Sequence, residues 1–179
     1  MALGGCGGSG GGVHGHSGTT ASQANTSLHA ALANYILQIE PLRLAVNRLL
    51  DGADPILNAY HDHRINTAQA AARIDALERQ FAAYAVDVAA VQPADSQLRA
   101  LHDVYAGTYV LEDSYLSALV SGLREHDLEH LPDTQNQQRA AIIRWRIGLS
   151  VLARQSGVSL PADFQQAGRG EIAPSPAGS

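Results

Sequence analysis

DSQLRALHDVYAGTYVLEDSYLSALVSGLREHDLEH, residues 95–130, is the longest unbroken helical pattern in the chain. Leu98, Leu101, Tyr105, Tyr109, Glu112, Leu116, Leu119 and Leu123 recur at steps of three and four, which aligns them along one stripe of a helix. One member of the stripe is a carboxylic acid. Glu112 lies about 20° round the helix from both Tyr105 and Leu119, at ~100° per residue. A helix this long must bury its apolar stripe against others, so the flanking sequence decides the fold.

Upstream, Leu28, Leu32, Tyr35, Ile39, Leu42, Val46 and Leu49 form a narrow, coiled-coil-like seam, with Asn25, Thr26 or Ser27 placed to cap its start. Pro41 inside this pattern predicts a kink. Asp51-Gly52 reads as a stop, and Asp54-Pro55 as the start of a short helix from Pro55 to about His61. Asn66 and Gln69 form a capping box with Ile65 as a hydrophobic staple. They open a helix whose seam is Ala70, Ile74, Leu77, Phe81, Tyr84, Val88 and Val91. Pro93 ends it, and Asp95 or Ser96 caps the helix of residues 95–130. After Leu131-Pro132, Asp133 or Thr134 caps a last helix with Ile142, Trp145, Leu149 and Leu152 on its apolar face, Ile143 and Ile147 widening it, and Gly157 stopping it. Short connections between long helices force antiparallel neighbours. The expected fold is all-α: an antiparallel, up-down-up-down four-helix bundle with a kinked first helix. Residues 1–26 read as a flexible leader, 27–157 as the bundle, and the Pro-, Gly- and Ser-rich residues 158–179 as a disordered tail.

Composition narrows the function. A net charge of −5 argues against a general nucleic-acid binder, which needs a basic face. All twelve basic residues are arginine, which together with the many alanines reads as a high-GC, bacterial coding bias. With one cysteine no intrachain disulfide can form. No run of 18 apolar residues is present to span a bilayer. The helical body has no Gly-x-Ser-x-Gly elbow and no cysteine, and the chain has no P-loop, so a non-enzymatic protein is expected.

Nine of the 17 glycines fall before residue 19. Within this run Leu3-Gly4-Gly5-Cys6 resembles the lipobox of bacterial lipoproteins: a branched apolar residue three positions before a cysteine, with small residues between. The resemblance implies cleavage before Cys6, acylation of its thiol and new amino group, and attachment to the outer face of the cell membrane. Only five residues precede Cys6, so it also implies a truncated signal peptide, with no charged or apolar region ahead of the motif. The Gly/Ser/Thr run that follows is similar to the tether of such proteins; the ~20 residues to Ser27 would span about 25 Å as a Gly-rich coil.

Three polar features are candidates for chemistry. Glu112, with Tyr105 and Tyr109 (and Tyr115) nearby, could line an internal ligand pocket. The plainer reading places it at the seam's edge, paired with Arg139, Arg144 or Arg146. The chain has no Glu-x-x-His, the ligand pair of di-iron bundles. His61, His63, His126 and His130 fall at one pole of an up-down-up-down bundle. His126 and His130 at i and i+4 have the spacing of two-histidine zinc or copper ligation. The expected helix lengths would leave the far end of the 95–130 helix overhanging by roughly 15 Å. His14 and His16 form a His-x-His pair in the leader, His102 reads as a surface residue, and His29 gives no signal. The expectation from all of this is an envelope lipoprotein without a cofactor, whose bundle binds or supports another cell-envelope protein. The alternatives are a periplasmic metal or small-ligand binder using the histidine pole or the Glu112 pocket, and a soluble cytoplasmic interaction bundle with an unmodified Cys6.

Overall fold

The structure, a computed structural model, describes residue 1, residues 17–165 and residues 172–173. Cys6, His14 and His16 lie outside the described residues. Among the described residues six helices follow in order: α1 (Ser17–Leu50), α2 (Ala53–His61), α3 (Thr67–Ala90), α4 (Ser96–Glu125), α5 (Gln135–Ser156) and the single turn α6 (Ala162–Gln165). Among the described residues there is no strand.

The four long helices form a closed ring in which α1 packs on α3 and α5, and α4 packs on α3 and α5. Cross-helix contacts run in opposite order along neighbours. On α3 and α4, Asp75 meets Arg124 and Phe81 stacks on Tyr109. On α4 and α5, Tyr105 stacks on Trp145 and Glu112 meets Gln138. On α1 and α5, His29 Nδ1 reaches the Ser156 carbonyl and Trp145 Nε1 donates to Tyr35 Oη. Antiparallel neighbours in a ring are what the short connections require. Gly148 lets α5 come close to α4, because a Cβ there would stand 2.4 Å from Leu101 Cδ2.

Local rules set most boundaries. Asn66 and Gln69 make the reciprocal capping box, and Asp95 Oδ1 accepts the amides of Gln97 and Leu98. Three helices end in Schellman motifs, with the amide of C″ returning to the carbonyl five residues back: Arg64 to Ala59, Asp127 to Gly122, Val158 to Ala153. The left-handed C′ residue is Gly157 in α5, but His63 in α2 (φ 57°) and His126 in α4 (φ 58°).

Several expectations are corrected. α1 begins at Ser17, so residues 17–26 are helical and Asn25, Thr26 and Ser27 are not its cap. No glycine or proline between 19 and 40 stops a helix from propagating upstream of its packed part. α2 begins at Ala53 after Gly52, ahead of the Asp54-Pro55 start. Beyond Ile39 the buried stripe of α1 is Arg43, Val46 and Leu50, while Leu42 and Leu49 are only partly buried. α4 ends at Glu125, not near His130, because the chain turns back over Gly122 and packs Leu128 on the core. Ile143 and Ile147 do not widen the buried face of α5; both are exposed.

The C-terminal tail is also not featureless. Val158 and Leu160 pack against the core and Phe164 is buried, between Trp145 (ring centroids 5.4 Å apart) and the Arg43 guanidinium, 4.5 Å over its ring. Asp163 pairs with Arg43, and Ala173 is buried beside Glu112. One aromatic side chain aimed at a waiting apolar site docks a segment that has no periodicity of its own.

Candidate functional site

Glu112 projects from the middle of α4 into the bundle and is 1 % exposed. Among the described residues no arginine meets it. Gln138, fully buried one helix away on α5, donates Nε2 to Glu112 Oε2 at 2.6 Å and to the Thr108 carbonyl at 3.3 Å. The amide of Ala173 donates to Glu112 Oε1 at 2.9 Å, and Gln135 Nε2 donates to the Ala173 carbonyl at 2.9 Å. Both carboxylate oxygens are therefore occupied by amides of the chain itself. Burial raises the Glu112 pKa above the usual carboxylate range; the Ala173 and Gln138 hydrogen bonds oppose that rise without cancelling it.

Tyr105 and Tyr109 are brought into the same interior, but to bond each other: their hydroxyls are 2.9 Å apart. Tyr105 stacks on Trp145 with ring centroids 4.0 Å apart, and Tyr109 stacks on Phe81 at 5.5 Å. Tyr115 is buried as well. His102, expected at the surface, is buried one turn before Tyr105, with Nδ1 3.1 Å from Tyr35 Oη. Desolvation lowers its pKa, against the opposing influence of the Val88 carbonyl and Asp103. Tyr35 thus joins Trp145 of α5 to His102 of α4. These groups form a continuous aromatic and polar layer, in which buried dipoles find partners on neighbouring helices and fix their register.

The histidine pole does not assemble. Since α4 stops at Glu125, His126 and His130 never occupy one helical face. Arg124 pairs with Asp75, eight residues after α3 begins, so the α2–α3 turn stands beyond the end of α4 by about 12 Å at 1.5 Å per residue. The overhang is the reverse of the one expected. His63 and His126 serve as left-handed helix terminators, while His130 Nδ1 binds both Asp127 oxygens, at 2.8 and 2.9 Å, and is exposed. That hydrogen bond raises the His130 pKa and lowers that of Asp127. His61 and His63 line a shallow surface hollow with Tyr60 and Asn66. Among the described residues no three His, Cys, Asp or Glu side chains are grouped to hold a metal ion.

The polar residues that sequence reasoning missed had partial signals. Gln138 lies four residues before Ile142 and seven before Trp145, on the α5 seam. Arg43 lies four after Ile39 and three before Val46, on the α1 stripe. A long polar side chain in a seam position was the mark of both. Asp163, Phe164 and Ala173 carried no such mark.

A second feature faces outward. On α5, Ile143, Ile147 and Val151 stand in line at i, i+4 and i+8, all exposed. They adjoin a groove between α5 and the 157–164 segment that is lined by Arg146, Arg154, Leu160 and Phe164. No helix among the described residues is long and apolar enough to cross a membrane. Comparison with protein-family models, with curated proteins and with solved structures returned no match.

Proposed function

We propose that this chain is a non-enzymatic lipoprotein of the cell envelope: a helical bundle held to the outer face of the membrane through acylated Cys6, binding or supporting another envelope protein. The observation that carries the reading is Leu3-Gly4-Gly5-Cys6 and its Gly/Ser/Thr run, placed ahead of a helical body with no membrane-crossing helix among its described residues. The interior supports it. The group best suited to bind a ligand or move a proton, Glu112, has both oxygens engaged by Gln138 and Ala173. Its role is to hold α4, α5 and the C-terminal segment together, which gives a partner a shaped, rigid surface.

The test is the intact mass and membrane fractionation of the protein expressed from its own locus with its upstream DNA. A membrane-bound species that begins at Cys6 and carries acyl chains is the expected result. A species that stays out of the membrane fraction with an unmodified Cys6 overturns the anchor and returns the protein to the class of unanchored interaction bundles.

A further inference from the structure

The helix α5 has a charge unlike the rest of the molecule. The chain carries 17 acidic residues against 12 arginines, yet α5, with four arginines in 22 residues, has no aspartate or glutamate. Three of the four, Arg139, Arg144 and Arg154, are exposed, and so are Ala140, Ile143, Ile147 and Val151. Taken at 100° per residue, these seven positions fall within an arc of about 140° on the side away from Trp145 and Leu149. Ile147 is 61 % exposed, a large aliphatic side chain held in water by a helix whose other face is fully packed. The outer face of α5 is therefore a basic, apolar stripe on an acidic protein.

We infer that this face docks on an anionic phospholipid surface, with the α5 axis lying along it. Charge decides the kind of surface. Arginines flank the aliphatic line on both sides, so a sheet of phosphate headgroups meets every guanidinium at once, while Ile143, Ile147 and Val151 reach the boundary of the acyl chains. At 1.5 Å per residue α5 presents about 33 Å of helix to such a plane. Docking needs no acylation of Cys6; an anchor there would raise the local concentration of the face at the membrane.

The experiment is sedimentation of the full chain, made with Cys6→Ser so that no acyl chain contributes. The probes are vesicles of pure phosphatidylcholine and of phosphatidylcholine with phosphatidylglycerol, at low and high salt. Binding is expected only to the phosphatidylglycerol vesicles and is lost in 0.5 M salt, where the Debye length falls to a few ångströms. Replacing Arg139, Arg144 and Arg154 with Gln lowers the partition coefficient roughly a hundredfold, at about fivefold per arginine. Ile147→Asp lowers it further, and Arg73→Gln/Arg79→Gln on α3 leaves most of it. The substituted positions on α5 are exposed, and circular dichroism checks that each variant keeps its helix content. Equal binding to both vesicle types, no binding to phosphatidylglycerol at low salt, or an undiminished triple variant each overturns the inference. If vesicles are ignored but the triple variant abolishes a salt-sensitive self-association or the capture of an acidic amphipathic peptide, the face belongs to a protein partner instead. Because Cys6 is absent from the assay, failure here leaves the lipid anchor untouched, and failure of the anchor leaves this result standing.

Discussion

Phe164→Ala tests whether the C-terminal segment is part of the folded body. The phenyl ring is 1 % exposed, packed on Trp145 and covered by the Arg43 guanidinium. Truncating a buried phenylalanine costs about 3–5 kcal/mol in a closed core. Here one wall of the site is a single-turn helix that can shift, so the low end applies, and about 3 kcal/mol is expected. For a domain of this size that is about 6–12 °C in Tm. The loss has a built-in reporter, because Trp145 is the only tryptophan. Its emission, measured during urea unfolding, should shift to the red in the native baseline of the variant, and acrylamide should quench it more readily. A loss under about 0.5 kcal/mol with unchanged Trp145 emission would refute the reasoning and make residues 158–179 the disordered tail that their composition implies.

Four further outcomes are expected. In Glu112→Gln the variant gains on the wild type as pH rises: a carboxyl with a raised folded pKa contributes stability below its unfolded value and loses it as pH climbs toward the folded one, by no more than about 1.4 kcal/mol per pH unit. Urea midpoints from pH 4 to 8 read this difference. His102 works in the other direction, since its lowered pKa gives stability that is full above 6.5 and lost as pH falls below it; His102→Gln should remove that acid-side loss while costing about 1 kcal/mol at pH 8 for the Tyr35 hydrogen bond. Gly122→Ala places a Cβ 2.5 Å from the Asp127 carbonyl oxygen and should lower stability by about 1–3 kcal/mol, seen as a reduced urea midpoint at constant m. His126→Gly relieves a left-handed histidine and should raise stability by about 0.5–1 kcal/mol; a fall would mean that the imidazole makes contacts beyond its role as a terminator.

Where the chain is periodic, its structure was legible. The α4 stripe is buried at Leu98, Tyr105, Tyr109, Glu112, Leu116, Leu119 and Leu123, and Ala70, Ile74, Leu77, Phe81 and Val88 of α3 are buried as read. Caps made by adjacent residues, Asn66 with Gln69 and Asp95 with Gln97 and Leu98, were legible for the same reason: the partners are close in sequence. Contacts across the chain were not. Glu112 was rightly conspicuous, but its partners lie 26 and 61 residues away, one of them a backbone amide that no side-chain pattern marks. The i, i+4 spacing of His126 and His130 implies a shared face only on a helix, and the helix ends at Glu125, where Gly122 and Leu128 turn the chain. Phe164 sits in a proline- and glycine-rich stretch, and a single aromatic has no period to detect.

The clamp of Phe164 and Asp163 on Arg43 also sets an order in time. The chain is made from its amino end, and Arg43 leaves the ribosome 121 residues before Phe164, about 6–24 s earlier at 5–20 residues per second. Through that interval Arg43 lacks the Phe164 ring and the Asp163 carboxylate, and Trp145, made 19 residues before Phe164, lacks its aromatic cover at the end of it. Helices α1 to α5 can gather, but this side of the core is closed only once residues 163 and 164 have followed them. A chain cut short before Phe164 therefore leaves the Phe164-facing side of Arg43 and one side of Trp145 open to water.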